Sequence, residues 1–118
     1  MNASPEYNAI RSIKNVGHAK RACAALLDIA ARTDRASKSS MMKSNGAEER
    51  AAANFKEGGL AYYKDIALTY ANFIFHAECG EKTQHSPLSS YACEFVQSRI
   101  DNQEAVESSI VAAIKAAA

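Results

Sequence analysis

Only two prolines, Pro5 and Pro87, interrupt this chain of 118 residues. Proline is the strongest helix breaker, so its scarcity removes the usual obstacle to long helices. Cysteine is sparse as well, with Cys23, Cys79 and Cys93. An odd count without a secretion signal excludes a disulfide-stapled framework and predicts reduced thiols, packed as small hydrophobes. A Cys79–Cys93 bridge would be strained between antiparallel helices, because the two positions fall roughly a turn or more out of register.

Long hydrophobic runs are missing. The most apolar stretch, residues 66–77, is broken by Thr69, Asn72 and His76 and falls short of the ~20 residues a membrane-spanning helix needs. The first residues are polar, with no apolar segment behind them, so the expectation is a cytoplasmic protein. Catalytic signatures are missing too. There is no Gly-x-Ser-x-Gly elbow, no phosphate loop and no dinucleotide fingerprint. Gly58 and Gly59 follow no strand pattern. His76 and Cys79 lack the orienting group and oxyanion site that a nucleophile pair needs. Glu48, Glu49 and Glu57 do not form the Glu-x-x-His pattern of di-iron bundles. The sequence therefore predicts a non-enzyme that uses no cofactor.

What the chain has instead is alanine, 24 residues of it. Alanine is the best helix former, and its small side chain lets helices approach closely. The expectation is an all-α protein: one domain over residues 1–118, built as a small bundle of three to five antiparallel helices with alanine-rich seams. Ser4, Pro5 and Glu6 read as a helix start. The first helix is expected to run to about Arg35, with a kink at Gly17. Residues 36–46 read as a polar connector ending in the turn signal Asn45 and Gly46. A second helix is expected from Ala47 to Cys79, with Gly80 as its stop. Gly58 and Gly59 inside it cost ~2 kcal/mol against alanine, so they mark either a break or a very close packing point. Beyond a polar loop over 80–86, Leu88, Tyr91, Ala92, Phe95 and Val96 suggest a third helix. Asp101 looks like the cap of a fourth, with Val106, Ile110, Val111 and Ile114, or the last two are continuous.

Charge is sorted along the chain. Residues 1–46 carry eight Lys/Arg against three Asp/Glu, a balance of +5; residues 47–118 carry six against ten, a balance of −4. Arg11, Lys14, His18, Arg21, Arg32 and Arg35 recur at helical spacing, opposite the apolar arc of Cys23 and Ala30. This basic stripe is the first candidate partner-binding surface. The second candidate is an aromatic helix. Tyr62, Tyr63, Tyr70, Phe73 and Phe75 crowd one segment and point to more than one side, as on a central helix or one shared with a second copy. The third is a weak metal set of His76, Cys79 and His85, with Cys93 beyond; it lacks the paired ligands of structural zinc sites.

The leading expectation is a protein-interaction module that docks on another protein, of the kind found among small regulators, inhibitors and immunity factors, including phage and mobile-element products. The alternative is a nucleic-acid-binding helical dimer using the basic face of the first helix. A metal-binding helical protein is the third reading. Homodimerisation through the aromatic helix is expected in the first two.

Overall fold

The computed structural model describes residues 4–33, 46–79 and 108–118. All regular structure among them is helical: α1 (Pro5–Arg11), α2 (Val16–Thr33), α3 (Ala47–Asn54), α4 (Leu60–Cys79) and α5 (Ser109–Ala116). Ser4 caps α1 as the sequence suggests. Its backbone is extended, and its Oγ accepts the Tyr7 N–H at 3.1 Å, while Pro5 supplies a preset first turn.

The long first helix expected from Ser4 to about Arg35 is instead two. The interruption lies at residues 12–15, upstream of Gly17, which sits inside the first turn of α2. The reason is local competition for hydrogen bonds. Ser12 donates both its N–H and its hydroxyl, the latter at 2.7 Å, to the Asn8 carbonyl. Asn15 Oδ1 accepts the His18 N–H at 2.7 Å and opens α2. Side chains that satisfy both orphaned helix ends remove the penalty for stopping. Ile13 keeps the apolar phase because it is buried in the connection itself.

Gly58 and Gly59 also mark a break. Phe55 ends α3 in an extended conformation, and Gly58 takes φ +83°, a region that disfavours side chains. The last helix begins later than expected. Ser108, extended at φ −67° and ψ 161°, caps α5 by accepting the Val111 N–H. So α5 neither starts at Asp101 nor runs on from an earlier helix. The polar loop over 80–86 and the helix expected around Leu88 to Val96 lie outside the described residues. So does the connector from 36 to 45.

Helix α2 buries Ala19, Ala22, Cys23, Leu26 and Ala30, one stripe at helical spacing. Helix α4 buries Tyr62, Ile66, Ala67, Tyr70, Ala71, Ile74 and Phe75. The α2–α4 pair forms the most extensive contact; α3 leans on α4, and α5 packs on both α1 and α2. Ala22, Ala67 and Ala71 are fully covered, which is what close helix approach requires. The large core groups are Phe75, Leu26, Ile10, Ile74 and Ile110, each worth roughly 2 kcal/mol on burial. The radius of gyration, 13.6 Å, matches the ~13.5 Å expected of a compact chain of this length. None of the described helices is long and apolar enough to cross a membrane.

Candidate functional site

The basic residues read from the sequence do not share one rod. Arg11 closes the last turn of α1, Lys14 lies in the interruption, and Arg21 and Arg32 belong to α2; all four are exposed. Arg35 lies outside the described residues. The break at residues 12–15 divides the stripe between two helices, and both pack on α4 at the corner between them.

Two members of the row are fastened inward. Arg21 Nε donates to the Ala117 carbonyl at 2.7 Å, and His18 Nε2 bonds the Ile114 carbonyl at 2.7 Å. Those carbonyls lie in the last turn of α5 and on its C-cap residue, Ala117, at the negative end of the helix dipole, so this pair acts as a C-terminal cap supplied from another helix. At the corner itself, Lys64 of α4 donates from Nζ to the Arg11 carbonyl at 2.7 Å. The Arg11 guanidinium lies 5.5 Å from the Tyr7 ring centroid, and Lys20 Nζ lies 5.8 Å from that of Tyr63. Tyr63 in turn meets Tyr62 edge-on, with centroids 5.2 Å apart and planes at 85°.

No family model, curated protein or solved structure matches this chain.

The aromatic helix divides by depth. Tyr62, Tyr70 and Phe75 are buried within the single chain, whereas Tyr63 and Phe73 are half-buried. Only the last two present area to a partner from that set. Phe55, at 40% exposure, is the one large hydrophobic left open among the described residues; it stands at the α3–α4 turn. Burial pushes the Tyr70 hydroxyl up to about 12, with a smaller push from the nearby Glu48 carboxylate. Cys23 is buried too. Its thiol donates to the Tyr63 carbonyl at 3.0 Å, and desolvation lifts it to about 12 against the pull of a backbone hydrogen bond from Ala67. Such a thiol is a packing group without nucleophilic character at neutral pH.

Of the metal candidates, His76 and Cys79 fall on α4, but their side chains lie outside the description, as do His85 and Cys93. Among the described residues no three His, Cys, Asp or Glu side chains gather closely enough to hold an ion.

Lys20, Lys64 and Tyr7 were not singled out in the sequence, yet the fold brings them to the corner. Lys20 carries a legible signal, since it sits one residue before Arg21 on the same helix. Lys64 carries none, because its place depends on how α4 crosses α1. Glu6, a first-turn acid by sequence, is fully buried.

Proposed function

We propose that this protein is a non-enzymatic interaction module that docks on another protein, as a small regulator or inhibitor does. The observation that carries the reading is the sorting of charge on a rigid helical frame. Arg11, Lys14, Lys20, Arg21 and Arg32 are exposed along α1 and α2, while Glu48, Glu49 and Glu57 are exposed on α3 and its turn. The buried positions beneath are apolar apart from Ser4 and Glu6. A surface of this kind sets encounter rate through charge, while buried contacts set residence time.

Self-association belongs to the same proposal, with half-buried Tyr63 and Phe73 as its contact area. A light-scattering mass equal to one chain at high concentration would remove it. The docking reading is tested by cross-linking the protein in its native cell, then reconstituting the captured partner with the purified chain. The expected result is a stoichiometric complex on size exclusion. A captured set of which no member binds the purified chain would count against it.

A further inference from the structure

We propose that the corner where α1, α2 and α4 meet is the docking face, and that it takes a carboxylate-rich segment of a protein partner. The inference rests on the docking reading above and names its partner chemistry. Four stretches of chain supply cations around the corner: Arg11 at the end of α1, Lys14 three residues on in the interruption, Lys20 on α2 and Lys64 on α4. Lys64 is tied to the Arg11 carbonyl, Arg11 lies over Tyr7, and Lys20 lies over Tyr63, the residue before Lys64. Three of the four are thus held in place before a partner arrives, which lowers the ordering cost of binding.

The described acidic groups of α1, α2 and α4 sit away from the corner. Glu6, the one carboxylate of α1, is buried. Asp65 follows Lys64 but lies on the side of α4 that meets α3, where Arg50 donates to Thr69 Oγ1 at 3.2 Å one turn along. Asp28 sits about two turns beyond Lys20 on α2. Positive charge concentrated in this way steers an anionic segment toward the corner.

The ring faces decide between carboxylates and nucleic acid. Sequence-tolerant single-strand binding stacks bases on open aromatic faces. Here a cation lies over each tyrosine, and both tyrosines are half-buried, so the faces that bases require are taken. The chain's net charge of +1 also gives little long-range pull on a phosphate backbone. Carboxylates need no stacking, and the exposed guanidinium of Arg11 offers them paired donors.

The test titrates the full chain with fluorescein-labelled poly-glutamate and, separately, with labelled oligo-dT, read by anisotropy at low and moderate salt. Saturable binding of poly-glutamate is expected, weakening as salt rises. The Lys14→Glu/Lys20→Glu variant is expected to lose roughly tenfold in affinity, while Arg50→Glu, on α3, stays within about twofold. Lys14, Lys20 and Arg50 are all exposed, so the melting temperatures of these variants report whether folding is intact. Should the double reversal unfold the chain, Lys14→Gln/Lys20→Gln is expected to give a smaller loss in the same direction. Absent saturation with poly-glutamate, equal losses in the corner and Arg50 variants, or tighter binding of oligo-dT would each overturn the inference. A reconstituted partner complex indifferent to Lys14→Glu/Lys20→Glu would overturn it as well, yet leave the docking reading standing.

Discussion

Cys23 and Tyr70 show what burial does to single ionisable groups here. Both are acids whose neutral form the fold favours, Cys23 lifted from 9.0 to about 12 and Tyr70 from 10.0 to about 12. Their contribution to stability is therefore fully present below the unfolded-state values. It falls as pH climbs, because the unfolded chain releases these protons first. Each group has a limiting slope of about 1.4 kcal/mol per pH unit. Thermal melts across this alkaline range should show the melting temperature dropping between pH 9 and pH 12, and a flat profile would refute the assignment. A companion measurement is thiol labelling at mildly alkaline pH. Cys23 should resist iodoacetamide in the folded protein and react once denaturant unfolds it. Immediate labelling of Cys23, identified by peptide mapping, would contradict its burial.

The elements are defined by their ends as much as by their faces. Asn15 and Ser108 each supply the side-chain oxygen that starts a helix, so Asn15→Ala and Ser108→Ala should each cost about 1 kcal/mol in chemical denaturation. Gly58 takes φ +83° with open space around an added Cβ. Gly58→Ala should therefore cost ~1–2 kcal/mol from backbone conformation alone, and Gly58→Asn less. Equal stability of the alanine and asparagine variants would show that the left-handed φ does not set the cost at this turn. Helix existence was legible from alanine content and the Ser4 start, because propensity and capping are local. The break at residues 12–15 was not. Val16, Cys23 and Leu26 hold the apolar phase on both readings, and Gly17 drew attention away from Ser12 and Asn15. The corner was half legible: Arg11 and Lys14 stand out by spacing, while Lys64 becomes visible only when α4 is laid across α1.

At the scale of the whole molecule, alanine seams carry the α2–α4 packing, and a few large groups carry the burial. Phe75→Ala should cost about 3–5 kcal/mol, against a total of roughly 5–15 kcal/mol for a domain. Denaturant titration should show the midpoint falling with little change in slope. Ala71→Leu should destabilise for the opposite reason, by about 1–3 kcal/mol, because the seam has no room for the added atoms. A leucine variant as stable as the parent would mean that the seam is looser than full burial of Ala71 implies. The grip of His18 and Arg21 on the last turn of α5 joins residues separated by 96 positions in each case. Both halves of that clasp exist together only once residue 117 has been made. A nascent chain that has not reached α5 would hold α1 and α2 with the surface meant for α5 still wet, so the docking of α5 follows the making of both by a long interval of synthesis.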